Sequence, residues 1–267
     1  MSEKAELPRP KVGLQWPAVP TDPLLPLLDL PGVAEAAADA RDAVDRLLGH
    51  RVLRRASARV SGESALRGAR ASAALEGALY PLEQVRAGAV QNPVLRGAMR
   101  VHGELGSLVE TWPRAPRQVL ARLHLLAAAG IVDEPLLGRP AQSTAVSVRL
   151  GELAALLTAD RDPRVPAVVL AAVVQAELLT MAAFAGPNGV VARAAFRLTA
   201  ISRGLDPKAV LVPEVGHLEL AEEYRAAADG YAAGSAEGVA VWLRHCCAAV
   251  RLGAREGLAI CEGVLRG

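Results

Sequence analysis

Apolar residues recur along most of this chain every three or four positions, separated by short breaks that hold glycine, proline or charged residues. The pattern from Val33 to Leu48 is typical of an amphipathic helix, and Gly49 follows it as a natural stop. The same spacing predicts further helices over 61–79, 93–110, 118–129, 150–159, 164–183, 189–203, 217–233 and 236–264. The sequence therefore predicts an all-α protein.

Two stretches depart from the helical pattern. Residues 1–32 hold seven prolines, which predicts an extended arm, and its apolar residues Leu14, Trp16 and Leu24 suggest that the arm lies on the protein surface. Residues 144–149 alternate between polar and apolar side chains, which predicts a short β-hairpin near 140–150. No linker divides the remainder, so we expect a single helical domain over 33–267.

The most apolar stretch, residues 166–186, is as long as a membrane span. Gln175 and Glu177 lie at its middle. A charged residue at the centre of a bilayer costs about 2.5–3.5 kcal/mol on insertion scales. We therefore predict a buried central helix and no membrane association.

Composition narrows the class of protein. Hydrophobic residues make up 52% of the chain and aromatic residues 3%, so the core is built from Ala, Leu and Val. The net charge of +2 gives no electrostatic reason to expect nucleic-acid binding. Cys246, Cys247 and Cys261 lack the spacing of a zinc site, and the N-terminus lacks the apolar segment of a signal peptide. These features predict a cytoplasmic protein with reduced thiols.

One motif carries candidate chemistry: Gly186-Pro187-Asn188-Gly189, between two predicted helices. Asn188 is a favourable N-cap, and the free N–H groups of a helix start attract anions such as phosphate. Arg193, one turn further on, could reach the same anion. A purely structural corner between two helices is the alternative interpretation of this motif.

A second motif lies in the predicted helix 61–79, where Ser72 and Glu76 share one face. Together the two motifs resemble the Fic family, which transfers AMP or another phosphate-linked group onto protein hydroxyls. Residues 182–193 resemble its signature H-x-F-x-D/E-G-N-G-R-x-x-R, and residues 72–77 resemble the S/T-x-x-x-E-G/N pattern of its inhibitory helix. The signature positions that match are Phe184, Asn188, Gly189 and Arg193; those of the inhibitory pattern are Ser72, Glu76 and Gly77. The resemblance implies a Fic-like core over 93–255.

Three signature positions that carry chemistry in the family differ. Ala182 replaces the histidine that acts as general base in the family, Gly186 replaces the acidic residue that holds Mg²⁺, and Val190 replaces the first arginine. An alanine cannot accept a proton, and loss of a general base costs roughly 10²–10⁴-fold in rate. The resemblance thus implies a nucleotide or anion site without a catalytic residue or a metal ligand. It also implies that Glu76 pairs with Arg193 where a nucleotide's γ-phosphate would bind.

These observations leave three hypotheses open. The first is a pseudoenzyme with a regulatory or binding role, whose ligand is ATP or another nucleotide. The second is a divergent nucleotidyl transferase with a non-standard base, and the third is a structural interaction protein with a vestigial pocket. A protein partner and a homodimer are compatible with each. The remaining polar candidates are interpreted as packing groups, or as the solvated face of residues 216–224: His102, His124, Glu177, His217 and His245.

Overall fold

A computed structural model of the protein describes residues 22–266. In that range the chain forms eleven α-helices and three short 3-10 helices, and it has no β-strand. The α-helices are α1 (Val33–Leu48), α2 (Ser57–Leu75), α3 (Leu82–Arg86), α4 (Pro93–Leu108), α5 (Pro116–Ala128), α6 (Thr144–Thr158), α7 (Ala167–Met181), α8 (Asn188–Ser202), α9 (Pro213–Glu219), α10 (Ala221–Ala232) and α11 (Ala236–Arg266). The all-α fold class is confirmed.

The centre of the fold is the pair α7 and α8. Eleven of the fifteen residues of α7 and twelve of the fifteen of α8 are buried, so neither helix has a solvent-facing side. The helices α2, α4 and α5 pack against α8, while α1, α6, α10 and α11 pack against α7. The turn that joins α7 to α8 emerges from this core and carries the signature motif.

The apolar stretch that raised the question of a membrane span is the central helix α7. No helix in residues 22–266 is both long enough and apolar enough to cross a bilayer.

Small residues let the outer helices approach closely. A Cβ added at Gly216 of α9 would overlap the carbonyl oxygen of Ala249 in α11, so the two backbones are in direct contact. The long helix α11 packs in this way on α9 and also on α1, α2 and α10. A core poor in aromatic side chains is thus filled by bringing the backbones together.

The predicted β-hairpin near 140–150 is wrong. Residues 144–158 form the helix α6, whose buried side chains Leu150, Leu153 and Leu157 follow helical spacing. Their packing decides the structure, and the preceding alternation is too short to oppose it. The loop 133–143 before α6 is irregular apart from a 3-10 turn at Glu134–Leu136.

Other helix boundaries also differ from the expectation. The predicted helix 61–79 begins earlier and ends at Leu75, because Gly77 takes a left-handed φ of 89°. The predicted helix 217–233 is two helices, α9 and α10, which meet at Leu220. The short helix α3 was not predicted.

Part of the predicted extended arm lies within the described residues, and that part is not extended. Leu25–Asp29 form a 3-10 helix that packs on α1, and Leu24 is buried. The Asp22 carboxylate accepts the N–H of Leu24 and forms an ion pair with Arg161 at 3.1 Å. Residues 1–21, with Leu14 and Trp16, lie outside the described range.

Candidate functional site

The turn between α7 and α8 is closed by the side chain of Asn188. Its Oδ1 accepts the N–H of Phe184 at 3.0 Å, and its Nδ2 donates to the Phe184 carbonyl at 2.6 Å. Asn188 therefore binds the turn that precedes α8, whereas Pro187 occupies the N-cap position without a side-chain bond. The expectation that Asn188 caps the helix is wrong, because its amide is engaged with Phe184.

His124 joins this turn to the loop 133–143. Its ring stacks on Phe184 with the centroids 4.7 Å apart. Nδ1 accepts the N–H of Gly138 at 3.0 Å, and Nε2–H donates to the Ala185 carbonyl at 2.7 Å. Burial lowers the pKa of His124, and the two contacts require the neutral ring with its proton on Nε2.

A backbone bond reinforces the same junction, because the N–H of Ala141 donates to the Ala183 carbonyl at 2.8 Å. The loop 133–143 is thus attached to the signature turn at two points.

Arg193 is the most buried charge of the motif, with 2% of its side chain exposed. Nε donates to Ser72 Oγ at 3.0 Å, and Nη2 donates to the Ser72 carbonyl at 2.9 Å and to Glu76 Oε1 at 2.7 Å. Nη1 donates to the Tyr224 hydroxyl at 3.2 Å. Burial alone would lower the pKa of Arg193, but Tyr224 and Glu76 outweigh it and the net shift is upward. The guanidinium is a permanent cation that joins α2, α8 and α10.

The Glu76 carboxylate lies against the first turn of α8. A Cβ added at Gly189 would overlap Glu76 Oε1 and would lie 2.9 Å from Arg193 Nη1. Only a glycine leaves room for this carboxylate. The Glu76 side chain is 27% exposed, so the ion pair is open to solvent on the carboxylate side. An acidic side chain therefore occupies the end of α8 that favours anions.

Three of the positions that differ from the signature are Ala182, Gly186 and Val190, and the fold constrains each of them. Ala182 takes a left-handed φ of 43°, and Gly186 takes a φ of 80°. A Cβ at Gly186 would lie 2.9 Å from Val132 Cγ1, which leaves little space for an acidic side chain. Val190 is completely buried in the core. Among residues 22–266, no group of three or more His, Cys, Asp or Glu side chains is arranged to hold a metal.

A buried polar network behind Arg193 was not predicted. Tyr224, which the sequence placed on a solvated face, is buried and also accepts from Gln175 Nε2 at 3.3 Å. His217 and His245 are in contact, with Nδ1 and Nε2 3.0 Å apart. Burial lowers the pKa of both rings, that of His245 to about 4, so both are neutral near pH 7. These residues come from four helices, α7, α9, α10 and α11, and no local sequence pattern connects them.

The backbone at Ala182 provides the first testable prediction. A left-handed residue with a Cβ costs about 1–2 kcal/mol, and the Ala182 side chain is exposed. Ala182→Gly should therefore raise the free energy of unfolding by about 0.5–1 kcal/mol, after the greater freedom of glycine in the unfolded chain is subtracted. Ala228→Gly, inside α10, should lower it by about 1 kcal/mol. Urea titration measures both, and a loss at Ala182 would contradict the strain argument.

Comparisons with known proteins support the fold. No protein-family model and no curated sequence matches the chain. Solved structures do match: a Fic family protein from Desulfovibrio desulfuricans G20 superposes with a TM-score of 0.69 at 20% identity, covering 86% of this chain and 74% of that one. A fragment of Fic-1 from C. elegans superposes with a TM-score of 0.70 at 16% identity, covering 90% and 75%. A glutamate-to-glycine variant of the same fragment gives 0.66 at 15% identity, covering 91% and 75%. The chain therefore has the fold of Fic family proteins.

Proposed function

We propose that this chain is a Fic-fold binding or regulatory protein without transferase activity, whose nucleotide pocket is closed by Glu76. The pocket consists of Phe184, Asn188, Gly189 and Arg193. One observation carries the proposal: the Glu76 carboxylate pairs with Arg193 at 2.7 Å and lies directly over Gly189. A carboxylate and a phosphate oxygen compete for the same cation and the same helix end.

The side chains near the turn support the absence of transferase chemistry. A protein hydroxyl needs a base within hydrogen-bonding reach, and Ala182 offers none. The Glu177 carboxylate is engaged by Arg149 at 2.7 Å and by the Tyr231 hydroxyl at 2.8 Å. His124 uses both ring nitrogens on backbone groups. The acidic and imidazole groups that could replace a base are thus committed to structural contacts.

The retained ion pair favours a gated pocket over a vestigial one. Arg193 has Ser72 and Tyr224 as further acceptors, so it keeps three neutral hydrogen bonds when Glu76 is absent. Glu76 is therefore not required to satisfy the guanidinium. Its position over Gly189 excludes anions, which is the expected property of an inhibitory group.

Calorimetric titration of ATP, with and without Mg²⁺, tests the proposal on wild type and Glu76→Gly. Removing the carboxylate leaves the Arg193 cation unpaired and opens the space over Gly189. We expect binding to appear or to tighten at least about tenfold, which corresponds to about 1.4 kcal/mol. Equal binding or no binding in both proteins would contradict the gating role of Glu76.

Two control variants locate the site. Adding Gly189→Val to Glu76→Gly refills the space with an apolar side chain, and the gain in affinity should disappear. Glu104→Gly removes the same charge from the exposed Glu104–Arg122 pair and should leave ATP binding at the wild-type level. Retained binding in the Gly189→Val double variant would place the nucleotide elsewhere.

Mass spectrometry after incubation with ATP tests the alternative function, a divergent nucleotidyl transferase. An AMP adduct on any protein would establish transferase activity.

A further inference from the structure

A second surface with distinct chemistry lies between the start of α2 and the end of α11. The 3-10 helix Arg51–Arg54 and the first turn of α2 form one side, and Val264 and Leu265 form the other. This basic groove has a volume of about 570 Å³. Four arginines line it: Arg51, Arg54, Arg55 and Arg59. The groove shares no residue with the Glu76–Arg193 site.

The arginines of the basic groove have no acidic partner in the part of the chain that the structure describes. All four are exposed, and none forms an ion pair with a carboxylate of residues 22–266. Arg67, further along α2, differs from them because it forms ion pairs with Glu63 at 2.7 Å and with Glu256 at 2.6 Å. Within residues 22–266, no carboxylate neutralises the positive charge of the groove.

This charge opposes the stability of the helix beside it. Arg51, Arg54 and Arg55 immediately precede α2, and Arg59 lies in its first turn, which holds no acidic residue. The N-terminus of a helix carries a partial positive charge, so a cation there destabilises the helix. Mutual repulsion of the four arginines adds to this cost. These four arginines therefore destabilise the isolated fold, and an anionic ligand would relieve that cost. The arrangement favours a site for an anionic ligand.

The apolar floor of the basic groove indicates which class of anionic ligand fits it. Val52, Ala56, Val264 and Leu265 are apolar, and Leu265 is 42% exposed. Among residues 22–266 no aromatic side chain lines the groove, whereas proteins that bind single-stranded nucleic acids combine a basic groove with aromatic rings on which the bases stack. A free phosphate would leave the apolar floor exposed to water. A peptide that carries both carboxylates and apolar side chains matches both surfaces.

We propose that the basic groove binds an acidic, amphipathic segment of a partner protein. Its carboxylates pair with Arg51, Arg54, Arg55 and Arg59, and an apolar side chain covers Leu265. Carboxylates near Ser57 also gain from the N-terminus of α2.

Fluorescence anisotropy tests the binding of an acidic, amphipathic segment. The experiment uses the full chain and a labelled helical peptide that carries glutamate on one face and leucine on the other. The triple substitution Arg54→Glu, Arg55→Glu and Arg59→Glu should weaken binding about tenfold or more. It should not unfold the protein, because acidic residues at the start of α2 favour the helix. Circular dichroism checks this, and the triple substitution to glutamine provides a second variant if the first is misfolded.

Matched control variants distinguish binding in the groove from a general effect of the protein's net charge. Arg114→Glu, Arg117→Glu and Arg225→Glu change the net charge equally at exposed arginines outside the groove, and binding should stay within about threefold of wild type. Leu265→Ser should weaken peptide binding, and a peptide with serine in place of leucine should bind more weakly than the original. The proposal is overturned if both triple glutamate variants weaken binding equally. It is also overturned if a single-stranded oligonucleotide of the same charge binds at least as tightly as the peptide.

Discussion

Replacing Glu214 by glutamine is expected to lower the free energy of unfolding by about 3 kcal/mol, at the low end of what breaking a buried ion pair costs. Glu214 is completely buried at the start of α9. His102 Nε2 lies 3.1 Å from its Oε1, and Arg197 Nη1 lies 3.7 Å from its Oε2. Burial raises the pKa of Glu214, but Arg197 and His102 outweigh this and the net shift is downward. The buried group is a carboxylate, and its neutral replacement leaves Arg197 without that counter-charge.

Asp206 limits the size of this loss. Burial raises its pKa to about 6 although Arg197 acts in the opposite direction, and Glu214 adds to the rise. When Glu214 is neutral, Asp206 becomes the remaining acidic neighbour of Arg197, and its pKa should fall. Asp206 therefore compensates in part, which is why we expect about 3 kcal/mol and not 5.

A double-mutant cycle provides the control. Arg197→Met together with Glu214→Leu replaces both charges by apolar side chains of similar size, and the pair should cost less than the sum of the two single losses. Urea titration at pH 7 measures wild type, the two single variants and the double variant of the cycle, together with Glu214→Gln. Additive losses, or a loss below 1 kcal/mol for Glu214→Gln, would show that the two charges do not stabilise each other.

The second large effect is expected at Arg193. Arg193→Met should lower the free energy of unfolding by about 3–5 kcal/mol, because it leaves the Ser72 carbonyl and hydroxyl without their donor inside the core and removes one of the two donors to the Tyr224 hydroxyl. Glu76→Gly should cost about 1 kcal/mol or less, since the carboxylate is 27% exposed and the guanidinium keeps its other acceptors.

The ratio of these two losses is the informative measurement. A large loss at Arg193 with a small one at Glu76 assigns the arginine to the framework and leaves the glutamate free to act as a gate. Equal losses would show that the ion pair acts as one structural unit, and the gating proposal would lose its physical basis. The same urea titrations, repeated with saturating ATP for Glu76→Gly, report whether a nucleotide restores stability.

Local signals predicted much of the fold. The first helix ends as expected where Gly49 follows the apolar pattern, and α5 ends just before Gly130. The prediction for residues 140–150 was wrong, because six alternating residues resemble a strand when only the local sequence is considered. The helix that these residues form is stabilised by the burial of Leu150, Leu153 and Leu157 in the core. Short apolar patterns are ambiguous in this way until the packing partner is known.

Only those parts of the candidate site whose residues lie close together in the sequence were predictable. The turn 186–189 and the pair Ser72 and Glu76 were recognisable from their spacing. Tyr224 was not, because its neighbours Glu222 and Glu223 are exposed and suggest a solvated face. Its burial depends on the position of α10 against α7 and α11, which the local sequence does not encode. Asn188 was assigned to the wrong bond for a different reason: its amide binds the backbone of Phe184, four residues before it, and not the first turn of α8.

The geometry of the turn also limits which side chains it can accept. A histidine at position 182 would supply only a base. A carboxylate at Gly186 would have to adopt a left-handed backbone and displace the methyl group of Val132, and an arginine at Val190 would enter a fully buried position. Substitution at Gly186 or Val190 therefore costs stability, whereas the exposed Ala182 side chain leaves room for a larger one. The turn thus has one position that tolerates substitution and two that resist it.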